Sequence, residues 1–206
     1  SGLDVVFQND VTSACTAEHL YGRGREFEDY AYFYVGSFIG GGIVLNGSVY
    51  PGRSGNAGAV GSLPVPDALT GQATQLIRNA SIYTLERDII EAGLDARGLW
   101  AFPRDWSEFE TQVAPWIERT AASLAVAAAA VCSVIDFDAV LIDGAFPEPV
   151  RARIVAGARA GLAQVDTRGI AVPRIEGASV GRNARVIGSA ALPILAKYFL
   201  SQSAFR

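Results

Sequence analysis

The sequence predicts an α/β fold in which helices flank a mixed sheet, made partly of an antiparallel meander and partly of parallel strands. Residues 30–50 have the pattern of three short strands joined by tight connections, and residues 139–200 alternate strand, helix, strand and helix. Strands joined by short turns pair antiparallel, whereas strands separated by helices pair in parallel through right-handed crossovers. With 206 residues, of which 50% are hydrophobic, the chain is long enough to bury a core.

The chain begins with a predicted strand at Leu3–Phe7, followed by a helix at Val11–Tyr21. We expect Asp10 to cap this helix, because its carboxylate can accept the free amide protons of the first turn. Gly22 is expected to end the helix in the left-handed conformation that glycine adopts readily. Because the first strand starts without a lead-in, we expect the sequence to be part of a longer protein.

The predicted meander begins at Tyr30–Val35, whose aromatic and β-branched residues favour a strand. Two further strands, Ile43–Leu45 and Ser48–Tyr50, are joined by Asn46-Gly47, a preferred two-residue hairpin turn. The first connection, residues 36–42 (GSFIGGG), is rich in glycine. A long ordered loop over residues 51–66 follows.

The second half is predicted to be helical before it alternates. Helical spacing extends over residues 74–92 and 107–134, with Pro115 as a kink or break in the second helix. The remaining predicted elements are the strand Ala139–Ile142, the helix Glu148–Leu162, the strand Ala171–Ile175 and a last helix Asn183–Leu200.

Composition and charge exclude several classes of function. The net charge of −4 and the pI near 5.0 offer no broad basic surface to nucleic acid, so any DNA-binding module lies outside this chain. The apolar segment Thr120–Ile135 falls short of the ~20 residues that a membrane span needs, and we expect a buried helix there. No membrane partner is expected.

The cysteine and histidine content indicates no metal site. Cys15 and Cys132 lack metal-ligand spacing, which suits a reducing cytoplasm, although they could also form one disulfide. His19 is the only histidine, and one imidazole cannot assemble a zinc site, so we expect an ordinary surface or packing residue.

Two segments could carry chemistry. The glycine run has two interpretations: a hairpin that requires positive φ angles, or a cradle in which backbone amides and the Ser37 hydroxyl approach a phosphate. Asn9 and Asp10 fall at a predicted strand end, where open α/β folds place ligands. Asp10 could act as a general base toward a sugar hydroxyl while also capping the helix, and Asn9 could hydrogen-bond neighbouring hydroxyls.

A series of short motifs extends along the chain: Asn9-Asp10, Ala17-Glu18, Phe33–Gly42, Asn46-Gly47, Gly52, Ala57-Gly58, Gly61, Val140–Gly144 and Gly181–Ala191. In order and spacing this series resembles the ROK family of repressors, open reading frames and sugar kinases. The resemblance covers essentially the whole chain.

The resemblance implies a ribonuclease H-like lobe of the actin and hexokinase type. Residues 1–206 are then a ROK C-terminal lobe, and the N-terminal lobe and any DNA-binding module lie outside the chain. The resemblance further implies a cytoplasmic homodimer with a small sugar or sugar derivative as its ligand. The site residues it implies are Asn9 and Asp10 for the sugar, with Asp10 as the base of an active enzyme, and Ser37, Gly40, Gly41, Gly42 and Gly144 for phosphates or nucleotide.

The sequence departs from the family pattern at several positions that matter for function. Phe38 replaces the second glycine of the phosphate loop, where its ring would crowd a γ-phosphate or else fold into the core. Ala59 replaces a sugar-binding Glu, and Ser62 replaces a His that binds sugar and zinc. Residues 71–86 occupy the region of the zinc-binding cysteine cluster and contain no cysteine, so no zinc is expected.

The resemblance and its departures leave three hypotheses. The first is a sugar-responsive transcriptional regulator whose kinase-like lobe senses a ligand without catalysis, since a sensor need not stabilise a phosphoryl-transfer transition state. The second is an ATP-dependent sugar kinase that uses Mg-ATP and Asp10 as the base. The third is a non-catalytic structural or oligomerisation lobe.

Overall fold

The computed structural model describes residues 7–68, 70–102 and 105–198, apart from the side chains of residues 196 and 198. The predicted first strand lies outside these residues except for Phe7, and so do the last two residues of the predicted final helix.

A five-stranded mixed sheet forms the centre of the described chain, in the order β3-β2-β1-β6-β7. Its members are β1 (Tyr30–Val35), β2 (Ile39–Leu45), β3 (Ser48–Tyr50), β6 (Ala139–Gly144) and β7 (Arg174–Gly177). The β1-β2 and β2-β3 pairs are antiparallel, whereas the β1-β6 and β6-β7 pairs are parallel. Two short strands, β4 (Pro64–Pro66) and β5 (Ala73–Gln75), pair separately. The predicted combination of a meander with parallel strands is confirmed.

Helices cover both faces of this sheet: α1 (Asp10–Tyr21), α2 (Leu76–Asn79), α3 (Ile82–Glu91), α4 (Glu110–Cys132), α5 (Glu148–Leu162) and α6 (Ala184–Tyr198). Successive side chains of β1 point to opposite faces of the sheet and therefore belong to two different cores. Tyr30, Tyr32 and Tyr34 pack with α1 and the start of α6. Ala31, Phe33 and Val35 face the opposite core, which α2 to α5 fill.

Several predicted elements are confirmed. The strands at 30–35 and 48–50 and the helix at 148–162 have the predicted bounds. The hairpin turn is also confirmed, since Asn46 and Gly47 have φ angles of 51° and 64°, as the preferred two-residue turn requires.

The prediction of one helix over residues 74–92 is wrong, because tertiary hydrogen bonds interrupt it. The segment divides into β5, α2 and α3. At the break, the side-chain amide of Asn79 donates to Pro66 O (2.9 Å) and Ser123 Oγ (3.0 Å), and Ser81 Oγ accepts from Ile39 N (3.0 Å). In a continuous helix the side chains of Asn79 and Ser81 would point in other directions, so these bonds favour a break at this point.

Further boundaries differ from the prediction: β2 begins at Ile39 rather than Ile43, and β6 ends at Gly144 rather than Ile142. The helix α4 continues through Pro115, which lies near its start, so a break there is wrong. The last strand begins at Arg174 rather than Ala171, because its pairing partner β6 sets its start through the register Ala139↔Arg174.

The caps of α1 also differ from those predicted. Asn9 is the N-cap, and its Oδ1 accepts hydrogen bonds from Val11 N (2.9 Å) and Thr12 N (3.1 Å). Asp10 is therefore the first helical residue and not the cap. Gly22 follows the helix with φ −110°, which is not left-handed; glycine is needed there because a Cβ would lie 2.4 Å from the Glu18 carboxylate.

No helix in the described ranges combines the length and apolar character that crossing a membrane requires. The apolar segment that ends α4 is instead largely buried against the sheet.

Candidate functional site

A cleft of about 310 Å³ opens where α1 begins, between β2 and the loop that follows β3. It brings together the predicted sugar-binding residues, two glycines of the run and the positions at which the sequence departs from the family pattern. Its lining includes Asn9, Asp10, Phe38, Gly40, Gly41, Asn56, Ala59, Ser62 and Ile77. Ser37, Gly42 and Gly144 do not line this cleft.

The start of α1 places a carboxylate at the cleft and attaches it to α6. Asp10 Oδ2 forms an ion pair with Arg185 Nη1 at 3.0 Å, and the Asp10 side chain remains 59% exposed. The guanidinium of Arg185 also lies over the ring of Tyr34, 5.3 Å from its centroid. A sugar hydroxyl that bonds to Asp10 would therefore meet a carboxylate that already has a cationic partner.

Gly40, Gly41 and Gly42 lie inside β2 and not in a turn. They pair in register with Tyr34, Phe33 and Tyr32 of β1. The strands β1 and β2 do form a hairpin, but none of the residues 36–42 has a positive φ, so the interpretation that its glycines supply such angles is wrong.

Close packing explains the glycines. A Cβ on Gly40 would lie 2.9 Å from Val11 Cγ2, and a Cβ on Gly42 would lie 2.5 Å from Cys15 Cβ. Because both contacts are with α1, the glycines allow the helix to approach the sheet closely.

The wall of the cleft opposite α1 also depends on glycine. Gly58 has φ 81°, and its carbonyl oxygen would lie 2.8 Å from a Cβ on Gly41. The loop after β3 thus lies directly on β2, and this contact brings Ala59 and Ser62 to the same cleft as Asp10.

The turn between β1 and β2 is held by the start of α3. Gly36 O accepts from Ile82 N (3.0 Å), and Ser37 O accepts from Tyr83 N (3.2 Å). Phe38, which follows, is 61% exposed and lines the cleft, so of the two alternatives for its ring, folding into the core is wrong. Its ring centroid lies 5.1 Å from that of Tyr83.

Gly144 ends β6 beside the end of β1, away from the cleft. It is buried, and the ring of Phe146 fills the space into which a Cβ would project, at 2.5 Å. A side chain at position 144 would therefore clash with this ring.

The buried carboxylate of Asp143 was not identified from the sequence as a site residue. Asp143 Oδ2 accepts from Tyr32 Oη (2.8 Å) and Gly181 N (3.0 Å), and Oδ1 accepts from Gly144 N (2.8 Å). Burial raises the pKa of this carboxyl, against the opposing effect of the hydrogen bonds from Tyr32 and Gly144. The residue fixes the segment before α6 to the sheet.

A second buried carboxylate, Glu18, fixes the same segment to α1. Its oxygens accept from Arg23 N (2.8 Å), Ser179 N (3.0 Å), Ser179 Oγ (3.1 Å) and Val180 N (2.9 Å). The sequence gives no clear signal for this burial, because residues 11–18 of α1 are all buried and the helix has no separate apolar face.

An arginine-lined groove of about 600 Å³ lies between α5 and the end of β7. Its arginines already have acidic partners: Arg23 and Arg159 pair with Glu176 at 3.3 and 2.8 Å, and Arg151 lies 3.5 Å from Asp143. The groove therefore presents little uncompensated positive charge.

The cysteines and the histidine are separated in the structure. Cys15 and Cys132 are free and lie in the two cores on opposite sides of the sheet, so they do not form a disulfide. His19 packs near the Tyr30 ring, with centroids 6.2 Å apart, and burial lowers the pKa of its imidazole. Among the residues described, no group of three or more His, Cys, Asp or Glu side chains could hold a metal ion.

Comparison with known proteins shows that the chain is similar to proteins of two kinds, transcriptional regulators and sugar kinases. The chain is 37% identical over 57 residues to the DNA-binding transcriptional dual regulator NagC of Escherichia coli K12, a match over 28% of this chain and 14% of that protein. It superposes on the ROK hexokinase from Thermus thermophilus with a TM-score of 0.68 and 26% identity, covering 95% of this chain and 67% of that chain.

A longer match in sequence is to the uncharacterized protein y4fQ of Sinorhizobium fredii, 24% identical over 200 residues. This match covers 93% of this chain and 47% of that protein, so the chain spans about half the length of this relative. The ROK family pattern matches residues 1–195. The neighbours share the actin-like fold of ROK and hexokinase-type proteins, which confirms the predicted fold class. The chain belongs to the ROK family.

Proposed function

We propose that this chain is the sugar-sensing part of a ROK-family transcriptional regulator, whose cleft binds a sugar without transferring a phosphoryl group. The observation that carries the proposal is that Phe38, Ala59 and Ser62 line the same cleft as Asp10, which is itself ion-paired with Arg185.

The cleft contains polar groups for sugar recognition, and Phe38 lies in it at a position where the resemblance implies a phosphate-loop glycine. Asn9, Asp10 and Ser62 offer donors and acceptors to hydroxyls. Phosphoryl transfer, in contrast, depends on donors and cations that neutralise charge developing on the phosphoryl oxygens. The position where the resemblance implies a phosphate-loop glycine holds Phe38, whose ring offers no such donor and lies in the cleft. Ala59 and Ser62 replace residues that the resemblance implies for the sugar.

The Asp10–Arg185 pair supplies a means of signalling. A ligand shifts a conformational equilibrium only through contacts that differ between the two states. A sugar hydroxyl that bonds to Asp10 would compete with Arg185 and weaken a link between α1 and α6. In this proposal the changed link alters a DNA-binding module outside this chain.

The kinase remains the second candidate, because Asp10 is present in the cleft and the chain is similar to a hexokinase. In that case Mg-ATP supplies the phosphoryl group. Of the residues implied for the nucleotide, Gly40 and Gly41 line this cleft, whereas Ser37, Gly42 and Gly144 do not.

The two candidates are separated by binding and turnover measurements on the full-length protein. We expect its melting temperature to rise with one member of a panel of hexoses and amino sugars, and a coupled ATP assay with the same panel to show no turnover. Asp10→Asn should abolish the thermal shift. Asp166→Asn is the matched control, since Asp166 is also exposed and ion-paired to an arginine. Turnover that Asp10→Asn removes would establish the kinase instead.

A further inference from the structure

Phe38 places a large aromatic surface in a cleft that is otherwise lined mainly by small residues. Its side chain is 61% exposed, so the core does not require it. The adjoining walls are formed by residues such as Gly40, Ala57 and Gly61. Ligand pockets are commonly lined by aromatic side chains, so an exposed ring within a concave site favours contact with a ligand.

The ring is attached to a rigid part of the backbone. On one side Gly36 O and Ser37 O accept hydrogen bonds from the start of α3, and on the other Ile39 N donates to Ser81 Oγ at 3.0 Å. Tyr83 supports the ring at a centroid distance of 5.1 Å and an interplanar angle of 47°. A fixed aromatic group loses little conformational entropy when a ligand binds, which favours a role in recognition.

The same cleft contains polar side chains suited to hydroxyl groups. Asn9, Asp10, Asn56 and Ser62 supply donors and acceptors. A pyranose has hydroxyls around its rim and an apolar face of C–H groups. The combination of one aromatic surface with several short polar side chains matches both parts of such a molecule.

We propose that Phe38 is the stacking platform of this site, and that the ligand is a pyranose sugar whose apolar face lies on the Phe38 ring. The proposal rests on the proposed sugar-sensing function and adds a residue that determines specificity. Phe38 then supplies binding energy in a cleft where Ala59 and Ser62 offer a sugar fewer hydrogen bonds than a Glu and a His would.

The test is isothermal titration of the full-length protein with glucose, mannose, N-acetylglucosamine and N-acetylmannosamine, each used separately. The sugar with the highest affinity is then titrated into Phe38→Trp, Phe38→Leu and Phe38→Gly. Trp should keep the affinity within about threefold, whereas Leu should weaken it about tenfold, a loss of about 1.4 kcal/mol that lies at the upper end of the range for an aromatic contact. Gly should weaken it further, because it also removes the apolar area.

Phe102→Leu is the matched control, because Phe102 is also exposed, at 77%, and does not line the cleft. It should leave the sugar affinity unchanged. Melting temperatures of all variants should stay close to that of the wild type, since Phe38 contributes little buried area.

If the wild type binds a sugar and Phe38→Leu and Phe38→Gly bind it equally well, Phe38 is not a platform. If these variants lose affinity for the ATP analogue AMPPNP and keep that for the sugar, the ring stacks a purine base and the inference is overturned. If the wild type binds none of the four sugars, both proposals are wrong, whereas sugar-dependent ATP turnover would reject only the non-catalytic regulator.

Discussion

The two carboxylates of α1 have opposite environments although they are on the same short helix. Asp10 begins the helix, is 59% exposed and has one ion-pair partner, Arg185. Glu18 is fully buried and accepts hydrogen bonds from the backbone of Arg23, Ser179 and Val180. Residue type alone therefore does not distinguish a candidate ligand-binding carboxylate from a structural one.

The difference follows from solvation. A buried carboxylate is retained only where several donors replace water, and those donors then hold its surroundings in one arrangement. An exposed carboxylate keeps part of its hydration and can exchange one partner for another at small cost. Asp10 can thus respond to a ligand, whereas Glu18 holds α1 and the segment before α6 together.

The largest expected effect is from Glu18→Ala. The change leaves the amides of Arg23, Ser179 and Val180 without their acceptor, and should lower the free energy of unfolding by about 4 kcal/mol, since hydrogen bonds to charged groups are strong and buried unpaired donors are costly. Urea denaturation followed by circular dichroism measures the change.

Glu91→Ala serves as the control for Glu18, because the Glu91 side chain is 70% exposed and its loss should change the free energy of unfolding by less than about 0.5 kcal/mol. If Glu18→Ala and Glu91→Ala lowered the free energy of unfolding equally, the inferred structural role of the buried carboxylate would be wrong.

A smaller effect is expected from Gly42→Ala, which tests the close contact between the middle of α1 and the sheet. The new Cβ would lie 2.5 Å from Cys15 Cβ, so the helix must shift, and overpacking of this kind costs about 2 kcal/mol. Thermal denaturation should show a lower melting temperature, and sugar affinity should fall as well, because α1 carries Asn9 and Asp10.

The matched control is Gly177→Ala. A Cβ on Gly177 would have its nearest neighbour at 3.8 Å, an ordinary contact, and the melting temperature should hardly change. If Gly42→Ala is as stable as this control, the glycines of β2 are not required by packing, and a ligand-binding role for them gains support.

The smallest effect on stability is expected from Arg185→Gln, which removes the partner of Asp10. An exposed ion pair contributes about 0.5 kcal/mol, so the free energy of unfolding should change little. Sugar affinity should increase, because the hydroxyls no longer compete with the guanidinium for Asp10. Calorimetric titration with the sugar bound by the wild type measures this, and a decrease in affinity would show that Arg185 binds the sugar itself.

Local sequence patterns predicted the elements whose determinants are local. The aromatic strand at 30–35, the Asn46-Gly47 turn and the helix at 148–162 depend on residues within or next to each element, and their predictions are confirmed. The predictions failed where a residue distant in sequence determines the local structure. At Ser81, for example, the hydroxyl accepts a hydrogen bond from Ile39 N, and the helix predicted over this segment is interrupted.

The candidate site shows the same division. The motif Asn9-Asp10 and the glycine run could be recognised from the sequence, and the structure brings Asn9, Asp10, Gly40 and Gly41 to one cleft. The partner of Asp10 could not be predicted, because Arg185 is 175 residues away along the chain and approaches only when α6 packs against α1. The roles of Glu18 and Asp143 were missed for the same reason.

By itself the sequence determined the fold class and the ROK family membership of this chain, because alternation of apolar residues, turn residues and motif order are properties of the linear chain. Only the tertiary structure decided that Gly40–Gly42 are packing residues of a strand, that Phe38 lies in the cleft and that Asp10 is paired with Arg185. Each of these features depends on contacts that form only when the helices pack against the two faces of the sheet. Such contacts join residues that are far apart in the sequence, so local sequence patterns do not predict them.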